Sequence, residues 1–303
     1  MFKKNETVCF LGDSITTHGH FVKEVFQVLV DNHKEDRVKI YNCGVPGDAA
    51  CRTIDRLYED CLILNPTTVV LMLGANDIER ALYMPNKEIE NVEEKREHFL
   101  ELYRENIRKI VENCIKMNAN VILCTPTPTD DEKSSAKGCN VPLGKCIEFL
   151  KELAEEKNLQ LVDYNTVMFS MMDKEIFNDD GLHPSEYGHH VMAQVLLKAL
   201  GYINECDFET MPVYSEKNLE RFKTEQLYRN IRMIEWTSLY DFMKENPEAS
   251  YVEKIKIVEK CKEDGIKANM GWYIEATENY INHVHQIPKI QGDVIKKTIE
   301  MYD

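Results

Sequence analysis

Apolar positions in the first two thirds of the chain follow two alternating rhythms. Short β-branched runs at residues 8–11, 38–41, 68–73, 121–124 and 159–162 read as buried strands. Between them, longer segments near 20–32, 50–64, 92–117 and 145–157 repeat their apolar residues at helical spacing, and a last one covers 184–200. A strand–helix series of this kind predicts a parallel sheet covered by helices on both faces. Ligands in such a sheet gather at the carboxyl ends of the strands. Three of those ends carry polar, glycine-containing turns: Gly12-Asp13-Ser14, Asn42-Cys43-Gly44-Val45-Pro46-Gly47 and Gly74-Ala75-Asn76-Asp77.

Beyond Gly201 the strand signal stops. Tyr251, Ile255 and Val258 form a stripe opened by Asn246-Pro247 and closed by Gly265, and Met270, Tyr273, Ile274, Thr277, Ile281 and Val284 form another. The expected organisation is an α/β domain over residues 1–204 and an all-helical appendage over 205–303. Phe222, Leu227, Ile231, Ile234, Trp236, Leu239 and Phe242 give the appendage more apolar area than a solvated tail exposes, which predicts that it docks on the α/β domain beside the active-site mouth.

The 43% hydrophobic content belongs to a folded globular chain, and no apolar run approaches the ~20 residues a bilayer span needs. The first residues hold no secretory core, so a cytoplasmic protein is expected. The ten cysteines are then expected to be reduced and mostly buried, and without a Cys-x-x-Cys pair they give no structural zinc pattern. A formal net charge of −15 with no basic stripe argues against nucleic acid and anionic lipid as partners, and for a neutral small-molecule substrate. Oligomeric state is not legible.

The chemistry lies in the turns. A serine hydroxyl needs a base to take its proton and a third group to orient that base. Asp180-Gly181-Leu182-His183 offers the last two: a three-residue offset lets the Asp180 carboxylate reach His183 Nδ1 and leaves Nε2 facing outward, whereas Asp179 is a solvated neighbour. Pro184 is expected to open the helix that follows. Ser14, straight after the first strand, is the candidate nucleophile, set against the bland reading of a helix N-cap. The attack creates an oxyanion, for which the Ser14 N–H, the Gly47 N–H and the Asn76 carboxamide are the candidate donors. Asp77 is read as shaping its turn, and Gly74 as serving backbone geometry. His18 and His20 are read as exposed loop residues, and His189 and His190 as surface or packing residues. The 125–142 stretch is expected to shape the pocket.

Taken in order, the blocks Gly12-Asp13-Ser14, Gly44-Val45-Pro46-Gly47-Asp48, Gly74-Ala75-Asn76-Asp77 and Asp180-Gly181-Leu182-His183-Pro184 resemble those of the SGNH (GDSL-type) hydrolases over residues 5–200. The resemblance implies a flavodoxin-like three-layer α/β/α sandwich, no cofactor, and ester hydrolysis through an acyl-serine intermediate, with an acetyl or other short acyl group as substrate. Ala49-Ala50 departs from the Thr or Ser common there and leaves the hydrogen bonding of that loop open. Two rivals stand against hydrolysis: transfer of the same acyl group to an alcohol, and a non-catalytic module binding a nucleotide or phosphate at the Gly12-Asp13-Ser14 turn. Against the second stand the absence of Gly-x-Gly-x-x-Gly and of a Walker lysine, and the charge of Asp13.

Overall fold

A strand buried on both faces carries apolar side chains at consecutive positions, and β1 (Thr7–Gly12), β3 (Thr68–Met72) and β4 (Asn120–Cys124) have that burial. With β2 (Lys39–Gly44) and β5 (Gln160–Val162) they form one parallel sheet in the order β2-β1-β3-β4-β5. That is the flavodoxin-like order, whose direction reverses between β1 and β3 and so leaves a crevice at their carboxyl ends. The computed structural model describes residues 1–225 and Asn246.

The described helices are α1 (Ser14–His18), α2 (His20–Asn32), α3 (Ala50–Asp60), α4 (Val92–Lys116), α5 (Asn140–Lys157), α6 (Tyr164–Phe169), α7 (Glu186–Ala199) and α8 (Glu216–Glu225). α3, α4 and α5 pack side by side over one face of the sheet, where Cys9, Leu11, Val69, Leu71, Val121 and Leu123 point into the main core. α2, α6 and α7 pack together on the other, where Phe10 meets Phe21 at 5.7 Å. The three layers are those the sequence predicts.

Several boundaries differ for local reasons. α1 is too short to show an apolar period; the Asp13 carboxylate starts it by accepting from the Ile15 N–H at 3.0 Å, and Gly19, at φ +69°, ends it. α5 begins five residues before Lys145, because a proline at Pro142 is tolerated in a first turn. Pro184 does not open α7: Ser185 is the cap, its Oγ accepting from the Gly188 N–H at 3.1 Å, and Pro184 instead forms an antiparallel bridge with Phe177.

The chain divides into a unit spanning Met1–Asn218 and a second, Leu219–Asp303. The 205–218 stretch therefore falls with the α/β unit. The apolar stripes between 226 and 303, and the placement expected for the appendage, lie outside the described residues.

Candidate active site

The carboxyl ends of β1, β2 and β3 bring Ser14, Gly47 and Asn76 to one edge of the sheet, and the turn before α7 adds Asp180 and His183. Ser14 is the first residue of α1, and its cap is Asp13, so its own hydroxyl is not used as a cap. That hydroxyl lies 2.7 Å from His183 Nε2. On the far side of the imidazole, Nδ1 meets Asp180 Oδ2 at 2.5 Å. The other Asp180 oxygen accepts from the Leu182 and His183 backbone N–H groups, each at 2.9 Å. Partial burial opposes ionisation of Asp180, but the hydrogen bonds from the His183 ring and from the two N–H groups outweigh it and hold the carboxyl below its usual range. Asp179 is exposed.

The turn that carries Asp180 and His183 is braced by the 125–142 stretch. The Gly181 carbonyl accepts from the Asp130 N–H at 2.8 Å, and Lys133 Nζ donates to the Phe177 carbonyl at 3.2 Å. Gly181 is at φ +62°, and a Cβ there would lie 2.5 Å from the Ser134 nitrogen, so both conformation and contact require glycine.

Gly47 is exposed at φ +74°, with no other protein atom within 4 Å of a Cβ placed on it. Its left-handed backbone, rather than crowding by the protein, is what favours glycine. Asn76 is half-buried and donates one amide hydrogen to the Asp48 carbonyl at 2.9 Å, which fixes the carboxamide plane and leaves its second N–H.

A support beneath these donors was not read from the sequence. Arg56, fully buried on α3, donates to Asp48 Oδ2 through Nε at 2.8 Å and Nη2 at 2.6 Å. Its guanidinium also reaches the Cys43 carbonyl at 3.0 Å and the Gly12 carbonyl at 3.3 Å, so one side chain ties the ends of β1 and β2 to the loop between Gly47 and Asp48. The available signal was an arginine four residues before Asp60 and eight after Asp48, one position before the apolar stripe residue Leu57.

Asp77 answers the question left by Ala49-Ala50. Ala49 has no capping side chain, and Asp77 Oδ1 accepts the Ala50 N–H at 2.6 Å in its stead. Burial is the main cause that pushes the carboxyls of Asp13 and Asp77 up to about 7.

The histidines meet the expectation in part, His189 and His190 in the packing role and His18 in its exposure. His18 is exposed, as expected, but it sits on α1 with its ring centroid 5.1 Å from that of His183. His20 is half-buried and lies 5.4 Å from His189. His189 is buried and stacks on Phe21 at 5.9 Å; burial pushes its imidazole down to about 3. His190 is buried too, between Glu24 and the Asp207 carbonyl. Neither of the last two is a surface residue.

The profile of the GDSL-like Lipase/Acylhydrolase family matches residues 8–196. The chain belongs to that family. It is a serine hydrolase of carboxylic esters. This GDSL-like hydrolase is 25% identical over 217 residues to an acetylxylan esterase of Geobacillus stearothermophilus, a match covering 65% of this chain and 94% of that protein. With an acetylxylan esterase of Xylanibacter ruminicola it shares 25% identity over 148 residues, which is 47% of this chain and only 30% of the relative. Among solved structures, BT4096, described as a gut microbial diltiazem-metabolizing enzyme, superposes with a TM-score of 0.60 at 25% identity, over 67% of this chain and 48% of that one. Among the described residues, no helix of this family member is long and apolar enough to cross a membrane.

Proposed function

We propose that this chain removes acetyl groups from carbohydrate esters, with Ser14 as nucleophile, His183 as its base, Asp180 as the orienting carboxylate, and the Ser14 N–H, Gly47 N–H and Asn76 carboxamide as the oxyanion donors. The observation that carries the reading is the line of hydrogen bonds from Ser14 Oγ through both nitrogens of His183 to Asp180. In that line Nε2 takes the serine proton as Oγ attacks the ester carbonyl, and Asp180 steadies the imidazolium. The tetrahedral oxyanion forms over the amide donors. His183 returns the proton to the departing sugar hydroxyl, leaving acetyl-Ser14. A water, deprotonated by the same imidazole, releases acetate.

The substrate class rests on the two acetylxylan esterases among the relatives, and on a net charge of −15 that suits an uncharged sugar ester. The test has two parts. A fluorophosphonate probe followed by peptide mass spectrometry is expected to label Ser14; labelling elsewhere, or none, overturns the nucleophile. Acetate release from acetylated xylo-oligosaccharides is expected to exceed release from p-nitrophenyl esters of longer acyl chains in kcat/KM; the reverse order rejects the acetyl-carbohydrate reading while leaving the nucleophile standing.

A further inference from the structure

Cys9 on β1, Cys43 on β2 and Cys61, which caps the carboxyl end of α3, hold their three sulfur atoms within 4.8 Å of one another. Each is at most 1% exposed. Register explains the first two: Leu11 pairs with Cys43, so Cys43 and Cys9 are two positions apart on the same face of adjacent strands. None of the three takes part in the acyl transfer proposed above. A lone buried cysteine is a small apolar residue, but three converging sulfurs form a donor set.

The chemistry of that set is narrow. Hard cations seek oxygen. Structural zinc takes four donors, and among the described residues no fourth Cys, His, Asp or Glu joins this group. A soft ion bound about 2.3 Å from each sulfur holds them about 4 Å apart in a plane and about 3.4 Å apart in a pyramid, so sulfurs that lie within 4.8 Å of one another have to close by up to about 1.4 Å. Charge selects further. Three thiolates around a monovalent ion leave two net negative charges in an apolar core, and around a divalent ion one, at a large desolvation cost. Arg56 reaches the Cys43 carbonyl, but its guanidinium already meets the carboxylates of Asp48 and Asp60. A trivalent ion leaves no net charge.

We infer that Cys9, Cys43 and Cys61 form a binding site for arsenic(III), taken up as neutral As(OH)3. The exchange balances without oxidant or reductant: three As–O and three S–H bonds break, three As–S bonds form, and three waters leave. The exchange releases water and leaves no buried ion. The closed site loads through the end of α3, where Cys61 leaves the helix for the 3-10 turn Leu62–Leu64; helix ends open locally at lower cost than sheet strands.

The test uses the full chain, kept reduced with a phosphine, incubated with sodium arsenite, freed of excess by gel filtration and weighed by native mass spectrometry. The expected product carries one arsenic atom and lacks three hydrogens, and it forms slowly. Cys61→Ala and, at nearly conserved volume, Cys9→Val are expected to bind at least tenfold less arsenic while keeping wild-type ester turnover; if one fails to fold, the other decides. Ser14→Ala is expected to load normally, so the outcome is independent of the catalytic assignment. The inference is overturned if the wild type takes up no arsenic even when refolded in arsenite, or if a folded Cys61→Ala or Cys9→Val variant keeps the same stoichiometry.

Discussion

Ser14 meets His183 through a single oxygen, and its backbone start is fixed by Asp13. Ser14→Ala therefore removes the covalent step and little else, and p-nitrophenyl acetate turnover is expected to fall by about 10³-fold or more, with an unchanged thermal midpoint. Turnover near that of the wild type rejects the assignment. The two adjacent aspartates separate cleanly in geometry, since His183 Nδ1 bonds Asp180 while Asp179 is exposed. Asp180→Asn, whose amide can stabilise the wrong tautomer, is expected to cost about 10²–10⁴-fold in kcat, and Asp179→Asn nearly nothing; equal losses argue against the pairing. In the proposed oxyanion role Asn76 would donate where charge appears only in the transition state, so Asn76→Ala is expected to lower kcat by about 10²–10³-fold with little change in KM. A change confined to KM contradicts it. The proximity of these residues was legible because each stands in a short turn, Ser14 and Asn76 at strand ends and Asp180 and His183 before α7, in a motif whose spacing is local. His189 was read as a surface or packing residue and Asp77 as shaping its turn, but their partners lie far along the chain and were not legible: Phe21 for one, the Ala50 N–H for the other.

At the scale of elements, Arg56 adds a side-chain tie between β1, β2 and α3 where the ladder of the two strands ends at Gly12 and Gly44. Removing its guanidinium leaves the buried Asp48 with only the longer contact to exposed Arg52 as an ion pair, and takes one donor from each of the Gly12 and Cys43 carbonyls. Arg56→Ala is therefore expected to cost about 3–5 kcal/mol in urea unfolding, and to lower kcat as the Gly47 loop loses its anchor. An unfolding midpoint equal to wild type means that the network is not structural. Helices α2 and α4, with long amphipathic patterns, were readable nearly to the residue. α1 was not, since five residues show no period, and β2 ran past its apolar run because Asn42 buries its carboxamide against the Thr16 carbonyl and the Gly44 N–H. A polar residue that satisfies itself this way looks like the end of a strand in the sequence and is its middle in the fold.

Across the whole molecule, the residues alone gave five runs and a parallel sheet, while the strand order came only with the family resemblance; near-identical apolar runs do not encode which neighbour they pair with. Burial also gives the fold an acid sensitivity. His189 titrates near 3 in the folded chain against an ordinary 6.5, so the unfolded chain binds a proton that the folded one refuses. Its contribution is present above about 6.5 and is lost at up to ~1.4 kcal/mol per pH unit as pH falls toward 3. His189→Phe, which keeps a ring against Phe21, is expected to narrow the gap in Tm between pH 7 and pH 5; an unchanged gap places the sensitivity elsewhere. The embedding of His190 bears on where this protein can be cut. Nδ1 faces the two Glu24 oxygens at 3.0 Å and Nε2 faces the Asp207 carbonyl at 2.8 Å, while the Asp207 N–H donates to Gln194 and Asn218 donates to Asp31. Ending the chain at Gly201 would strip the outer half of that bridge and leave His190 Nε2 without the Asp207 carbonyl. An expression boundary for the catalytic unit therefore belongs after Asn218, where the last of these links has been made, and a shorter fragment tests an injured edge as much as a missing appendage.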